Sequence, residues 1–192
     1  VKEVGDALLP LADARKVKLR ISGPAAGVWV TGVRDELVQV AQNLIDNAIK
    51  YSEAGDVVEV EVLASLQRQE ASALAGRRWE AAGRMSIATT PPNAKNSPTG
   101  RFAVLRVADS GPGIDRQHLP RLAERFYRVD QERGARRGTG LGLAIVKHVV
   151  ARHRGEFLVE SEPGKGSAFG IVLPVDAAEA QPEPTAVASG QG

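Results

Sequence analysis

Residues 35–52 read DELVQVAQNLIDNAIKYS, and their pattern sets the architecture of the chain. The apolar residues recur at helical spacing, so they predict a helix with one face packed on a core. Asp35 is a suitable cap for the start of this helix, and the turn-forming residues 53–56 end it near Ser52. The apolar stripe consists of Leu37, Val38, Ala41, Leu44, Ile45 and Ala48.

A polar face runs beside this stripe. Asn43, Asn47 and Lys50 fall at positions i, i+4 and i+7, and Tyr51 follows on the same flank. An Asn carbonyl is a hard oxygen ligand of the kind that Mg²⁺ accepts, and a lysine ammonium is a point charge for phosphate. The face therefore indicates a site for a metal-bound polyphosphate, while an ordinary solvated helix face accounts for the same residues.

Strand patterns lie on both sides of this helix. Val58, Val60 and Val62 alternate with two glutamates, which is typical of a strand with one buried and one wet face. Helices packed on one face of a mixed β-sheet make a two-layer sandwich, so we expect an α+β fold. Further strands are predicted at residues 17–21, 28–33, 102–107, 157–161 and 168–173, and further helices at residues 4–14, 115–123 and 141–152.

Two segments differ from these elements. Residues 64–100 have little apolar periodicity, so we predict an insertion between strands, with a short helix within residues 66–84 and a flexible loop in its second half. Residues 176–192 are rich in Ala, Pro and Gln, which predicts a disordered tail. Residues 1–175 are then expected to form one domain.

The composition argues against several classes of function. The 192 residues carry a net charge of +2, which gives no reason to expect a nucleic-acid partner. The lack of cysteine excludes disulfides and thiolate metal sites. No apolar run approaches the roughly 18 residues of a membrane span.

A second polar motif, Asp109-Ser-Gly-Pro-Gly113, follows a predicted strand. A carboxylate at a strand end can accept a hydrogen bond from an exocyclic amine such as that of adenine, which is worth about 1.5–3 kcal/mol. Gly111 and Gly113 would let the backbone approach the base closely. A simple turn explains the same residue types.

A glycine-rich run, Gly138-Thr-Gly-Leu-Gly-Leu143, leads into the predicted helix that carries Lys147. The unpaired amides and the positive dipole end of such a helix form an anion site. Leu143 stands where a dinucleotide fingerprint would need its third glycine, and no Walker loop is present. A glycine hinge before a packing helix explains the run equally well.

In combination, the three motifs resemble those of sensor histidine kinases. NLIDNAIKYS (43–52) resembles the N box, DSGPGI (109–114) and GTGLGLAIVK (138–147) the two glycine boxes, and RLAERFYRVD (121–130) the box around a phenylalanine. GEFLVESEPGKGSAFGIVLP (155–174) is similar to the closing strands of the family. The resemblance covers about Asp35 to Pro174 except residues 64–100, and residues 119–130 are most similar to the phosphate-regulon type. It implies the histidine-kinase ATPase fold of the Bergerat type.

The resemblance implies a site for ATP and Mg²⁺. By it, Asn47 ligates Mg²⁺ and Asn43 lines the same face as a catalytic residue. Lys50 would contact phosphate, and Tyr51 would flank the adenine. Asp109 would accept a hydrogen bond from the adenine amine.

Further nucleotide contacts are implied by the same resemblance. Arg128 would approach the γ-phosphate as the second catalytic residue, and Ser167 matches a hydroxyl position near the base. The basic, glycine-containing residues from about Tyr127 to Thr139 would form a lid that orders when nucleotide binds. The backbone of the two glycine boxes would hold the nucleotide at Gly111, Gly113, Gly138, Thr139, Gly140, Leu141, Gly142 and Leu143.

The resemblance also implies partners and a location. His118, His148 and His153 do not stand in the family's His-Glu-x-Arg-Thr-Pro setting, so we expect surface helix residues. The γ-phosphoryl group would then pass to a histidine of a separate dimerisation domain, and a response regulator would act through the full-length kinase. We expect the isolated domain to be monomeric and to belong to the cytoplasmic side of a protein anchored in the inner membrane.

Two other functions are compatible with the same motifs. ATPases of the gyrase, heat-shock chaperone and mismatch-repair type hydrolyse ATP with a glutamate on the helix that bears the metal-binding Asn. Here Asn43 stands four residues before Asn47, and Asp46 points to another face. The other alternative is a non-catalytic nucleotide-sensing scaffold, which intact motif residues disfavour.

Overall fold

The computed structural model describes residues 1–25, 27–76, 83–89, 100–129 and 139–175. These residues form four α-helices, six β-strands and one 3-10 helix, η1. In chain order the elements are α1 (Lys2–Ala14), β1 (Lys18–Ser22), α2 (Arg34–Tyr51), β2 (Val57–Leu66), α3 (Arg68–Gly76), β3 (Gly83–Thr89), β4 (Phe102–Ala108), η1 (Arg116–Arg121), α4 (Gly142–Arg152), β5 (Glu156–Glu162) and β6 (Gly166–Pro174).

Helix α2 has the buried face that its periodicity predicts, but its N-cap is Val33 and no side chain caps it, so the prediction of Asp35 as the cap is wrong. Leu44 and Ile45 are fully buried, and the helix stops at Tyr51 because Ser52 adopts an extended backbone. The Ala48 carbonyl accepts both the Ser52 N–H at 3.1 Å and the Ser52 hydroxyl at 2.8 Å, which ties Ser52 to the last turn of the helix. Asn43, Asp46, Asn47 and Lys50 are only partly buried and lie beside the fully buried face of the helix.

The strands make one mixed sheet in the order β1-β2-β4-β6-β5-β3. β1 pairs with β2 in parallel, and the other neighbouring strands are antiparallel. Helices α1, α2 and α4 cover one face and share the main core with it. The predicted α+β fold is confirmed, because one sheet contains both parallel and antiparallel strand pairs. The predicted closing hairpin is present as β5 and β6.

The segment between β2 and β4 is more structured than its sequence predicts. The expected short helix is present as α3, but residues 83–89, which fall in the predicted flexible loop, form the sheet strand β3. Helix α3 packs on the opposite face of the sheet, so the helices are not confined to one face. The apolar side chains that share this second cluster are Ala71, Ala75, Phe102, Val104, Leu158 and Val172.

Smaller differences concern the short elements. Residues 28–33 contribute only an isolated bridge, between Val30 and Val175, and the predicted helix at 115–123 is the 3-10 helix η1. The predicted tail at 176–192 lies outside the described residues. None of the helices described is both long enough and apolar enough to cross a membrane.

Candidate functional site

Asp109 is a buried carboxylate at the end of β4. Only 3% of the residue is exposed. Its Oδ1 accepts hydrogen bonds from the backbone N–H groups of Gly111 at 2.9 Å and Ser167 at 3.3 Å. Because two amides fix Oδ1, the carboxylate has one orientation, and this rigidity suits the recognition of a single donor group.

Glycines let the backbone around Asp109 approach its neighbours closely. A Cβ at Gly111 would lie 2.5 Å from the Tyr51 carbonyl oxygen, so this loop is pressed against the end of α2. Gly113 has φ +70, and a Cβ there would lie 2.2 Å from the Glu162 carbonyl oxygen. Steric crowding therefore requires glycine at both predicted positions, since no side chain fits at either one.

A buried serine pair closes the base of this loop. The Ser161 hydroxyl donates to the Gly166 carbonyl at 2.9 Å, lies 3.0 Å from the Ser167 hydroxyl, and accepts from the Ile114 N–H at 2.7 Å. Ser167, which the sequence singled out, is thus tied to Ser161, which it did not. Only the paired register of β5 and β6, with Ser161 opposite Ser167, reveals the role of Ser161.

The two predicted asparagines of α2 face the first residue of α4. A Cβ at Gly142 would lie 3.4 Å from Asn43 Oδ1 and 3.6 Å from Asn47 Nδ2. Asn43 Nδ2 is buried and has no hydrogen-bond partner. A buried donor without a partner costs about 1–3 kcal/mol, so the arrangement is suited to a ligand that supplies an acceptor.

The start of α4 supplies backbone donors to the same region. Leu141 is its N-cap, and no side chain caps the helix. The first turn, which begins with Gly142 and Leu143, therefore presents its N–H groups and the positive end of the helix dipole. Thr139 is exposed and Gly140 precedes the helix with φ +68, whereas the predicted site residue Gly138 lies outside the described residues.

Three other predicted site residues lie around this region. Lys50 Nζ is 2.5 Å from Asp46 Oδ2 on the same helix, so its ammonium already has a carboxylate partner. Tyr51 is half-buried at the end of α2 beside Gly111. Arg128 is half-buried and lies two residues before the undescribed residues 130–138, which contain most of the predicted lid.

The three histidines differ in their surroundings. His148 is exposed, as expected, but His153 is buried, so its prediction as a surface residue is wrong. His153 Nε2 accepts from the Val33 N–H at 3.0 Å, and Nδ1 lies 2.8 Å from the Val149 carbonyl, to which it donates. The ring is buried because both nitrogens have backbone partners, which the sequence does not reveal.

Comparisons with known proteins agree with this arrangement. Residues 32–177 match the family described as "Histidine kinase-, DNA gyrase B-, and HSP90-like ATPase". The phosphate regulon sensor protein PhoR of Pseudomonas aeruginosa is 40% identical over 165 residues, which are 84% of this chain and 30% of that protein. The sensor-like histidine kinase SenX3 of Mycolicibacterium smegmatis is 35% identical over 164 residues, which are 85% of this chain and 34% of that protein. The chain thus spans about a third of the length of these relatives.

Solved structures share the fold. The mycobacterial sensor histidine kinase MprB matches with a TM-score of 0.60 and 28% identity, over 91% of this chain and 95% of that chain. Full-length ShkA, crystallised with AMPPNP, matches with a TM-score of 0.64 and 23% identity, over 91% of this chain and 29% of that chain. By its sequence and its fold, the chain belongs to the family of histidine kinase-, DNA gyrase B- and HSP90-like ATPases, and its similarity within that family is to sensor histidine kinases.

Proposed function

We propose that this chain binds Mg²⁺-ATP and donates the γ-phosphoryl group to a histidine on a separate dimerisation domain. The observation that carries the proposal is the placement of two different recognition features along one helix. Gly111 brings the Asp109 loop to Tyr51, and Gly142 brings the start of α4 to Asn43 and Asn47. From residue 43 to residue 51 a helix rises about 12 Å, a span comparable with an extended nucleoside triphosphate.

The described residues fit such a ligand. The unpartnered Asn43 Nδ2 and the uncapped start of α4 both lack acceptors that phosphate oxygens would supply. Among the described residues no cluster of three or more His, Asp or Glu could hold a metal ion by itself. Mg²⁺ commonly takes one or two protein oxygens together with phosphates and water, so a single ligand such as Asn47 Oδ1 is sufficient.

The reaction depends on positioning and on charge. Phosphoryl transfer needs little covalent help from the protein. Asp109 would fix the base, while the Gly142 and Leu143 amides and Asn43 would hold the phosphates. Mg²⁺, when bound by Asn47, supplies neutralisation of phosphate charge. Arg128 and Lys50 would add positive charge, the latter once phosphate competes with Asp46 for its ammonium.

A groove beside the start of α4 is a suitable surface for the phosphoacceptor domain. It has a volume of about 520 Å³ and lies between α2 and α4, with Phe126 on its rim. Phe126 is 69% exposed, so a domain that docks in this groove would bury its ring. Leu141 lines the groove and also caps the helix whose amides would hold the phosphates, so a histidine on a domain docked here would come near the γ-phosphate.

ATP hydrolysis in the manner of the gyrase relatives is a weaker candidate. Their general base is a glutamate, and Asn43 occupies the corresponding place four residues before Asn47. An amide does not accept a proton from water at neutral pH, so the chain lacks that base at this position. We infer that the parent protein is a sensor kinase that signals to a response regulator, with this chain on the cytoplasmic side of the inner membrane.

The proposal is tested by binding first and by transfer second. Calorimetry of the isolated chain should show Mg²⁺-dependent binding of ATP and ADP, and an Asn47→Ala variant should lose the Mg²⁺ dependence. Adding the parent kinase's dimerisation domain with γ-labelled ATP should label that domain on histidine. No binding of either nucleotide at millimolar concentration, or steady phosphate release without any acceptor domain, would refute the proposal.

A further inference from the structure

Tyr127 is held by two residues of η1 that have no part in the nucleotide site described above. His118 Nδ1 lies 2.7 Å from the Tyr127 hydroxyl oxygen. The Arg121 guanidinium carbon lies 4.2 Å from the centre of the Tyr127 ring, which is a cation–π contact. Arg121 is in turn paired with Glu124 at 3.2 Å. We call His118, Arg121 and Tyr127 the tyrosine clamp.

The backbone next to the tyrosine clamp is strained and touches the turn before α4. Phe126 has φ +65, a conformation that side-chain-bearing residues rarely adopt and that functional sites often retain. Its N–H donates to the Gly140 carbonyl at 2.9 Å, and a Cβ at Gly140 would lie 2.8 Å from the Phe126 carbonyl carbon. The clamp therefore anchors a backbone that fixes Gly140, and Gly140 leads into the first turn of α4.

The other end of the clamp is tied to the loop of Asp109. Asp115 Oδ1 accepts from the Gln117 N–H at 3.0 Å and so caps η1. Ile114, directly before it, donates its N–H to the buried Ser161 hydroxyl at 2.7 Å. A continuous series of contacts therefore runs from the Asp109 loop through η1 and Tyr127 to Gly140.

We propose that His118 and Arg121 are positioning residues that couple the two ends of the nucleotide site. The tyrosine clamp sets the distance between Asp109, which would fix the base, and the α4 amides, which would hold the phosphates. Without it, the strained Phe126 backbone can relax, and the Gly140 turn moves relative to Asp109. The clamp thus favours ligands that carry both base and phosphates, and this inference rests on the proposed nucleotide site.

The hydrogen bond between His118 and Tyr127 can be removed by deleting a single oxygen atom. Tyr127→Phe deletes the hydroxyl but keeps the ring for Arg121, and His118→Leu deletes the partner. His118→Asn is the matched control, because the Asn carbonyl oxygen can take the place of Nδ1 as acceptor. Affinities for ATP, ADP and adenosine are measured by calorimetry, together with the melting temperature of each variant.

We expect Tyr127→Phe and His118→Leu each to weaken ATP and ADP about three- to tenfold, the range of one net hydrogen bond. Adenosine affinity should stay at the wild-type value, His118→Asn should bind ATP nearly as wild type does, and the double variant should be no weaker than either single one. Unchanged ATP affinity, or an equal loss for adenosine and ATP, overturns the coupling. If wild type binds none of the three ligands, the proposed function itself fails.

Discussion

At the scale of single residues, Asp109 combines burial with an ionisable side chain. Its Oδ1 accepts hydrogen bonds from the Gly111 and Ser167 amides, and these two bonds fix the orientation of the carboxylate toward a ligand. A carboxylate presents only acceptors, so it favours a base with an exocyclic amine at this position over one with an exocyclic oxygen. This difference makes the residue a test of base selectivity as well as of affinity.

Replacing Asp109 with Asn should weaken ATP by about 1.5–3 kcal/mol, or roughly 12- to 160-fold, because a neutral amide is a weaker acceptor than a carboxylate. GTP should gain relative to ATP, since the amide can turn its NH₂ group to an exocyclic oxygen. Calorimetry with both nucleotides measures the change. Asp115→Asn, an exposed cap that keeps its acceptor, is the control and should bind as wild type. If Asp109→Asn binds ATP as tightly as the control Asp115→Asn does, Asp109 is not part of the nucleotide site.

Gly142→Ala separates nucleotide binding from stability. The added methyl group would lie in ordinary contact with the side chains of Asn43 and Asn47, so the fold accepts it. It would occupy the space above both amides where the ligand is proposed to lie. We expect a melting temperature equal to or above that of wild type, together with ATP affinity reduced about tenfold, or roughly 1.4 kcal/mol. A variant that binds ATP as wild type does would place the phosphates elsewhere.

Residues that belong to local motifs were predictable, and residues defined by tertiary contact were not. Asn43 and Asn47 could be identified because helical spacing alone puts them on one face. Ser161 resembles any strand serine until β6 pairs with β5 and the loop of Ile114 approaches it. The i, i+4 spacing of Asp46 and Lys50 favours an ion pair between them, and the structure contains this pair, although the resemblance implies a phosphate contact for Lys50.

At the scale of elements, two helices end in an unfavourable backbone conformation. Lys16 follows α1 with φ +58, and Arg154 follows α4 with φ +56. In both, the next residue donates back into the helix, Val17 to the Ala12 carbonyl and Gly155 to the Val150 carbonyl, each at 2.9 Å. This helix ending strongly favours glycine at the left-handed position.

Lys16→Gly and Arg154→Gly should therefore each stabilise the domain. The left-handed conformation costs a side-chain-bearing residue about 1–2 kcal/mol, and the greater freedom of glycine in the unfolded chain takes back about 0.5–1 kcal/mol. We expect a gain of about 1 kcal/mol each, or roughly 2–4 °C in melting temperature for a chain of this size. Both side chains are exposed, so no core contact is lost. A fall in melting temperature for both would contradict the described helix ends.

The long helices and the strands of the C-terminal half were predictable because each carries a clear apolar period. Strand β3 was missed because its partner, β5, lies much later in the chain and its neighbourhood contains few apolar residues. Met85 and Ile87 alternate within it and pack against the main core, and this alternation was the available signal. Residues 28–33 show the opposite case, where an apolar run finds almost no strand partner.

At the scale of the whole molecule, α3 and β3, which lie between β2 and β4 in the chain, pack against the rest of the domain. Replacing residues 67–99 with a short Gly-Asn turn would uncover Phe102, Val104, Leu158 and Val172. Burial of such side chains is worth about 1.5–3 kcal/mol each. We expect the shortened chain to melt well below wild type or to aggregate. A shortened protein that melts as wild type does would show that α3 is dispensable.

A single substitution tests the same packing without a deletion. Gly170 lies in β6 beneath α3, and a Cβ there would be 2.2 Å from the Ala75 carbonyl oxygen. Gly170→Ala should displace α3 at a cost of about 1–3 kcal/mol and speed amide exchange in Arg68–Gly76. ATP affinity should change little, since the helix lies on the face away from α2 and α4. Exchange in α3 identical to that of wild type would contradict the close approach.

The sheet order has a consequence for biosynthesis. β3 is made in the middle of the chain, yet its neighbour β5 belongs to the closing hairpin, which leaves the ribosome near the end of this domain. Until β5 is made, the strand that carries Met85 and Ile87 has no partner strand. The part of the α3 packing surface that β5 and β6 supply is also missing. Native assembly of the nascent domain must therefore wait for its last strands, and the unpaired middle segment is the part most in need of chaperone protection during translation.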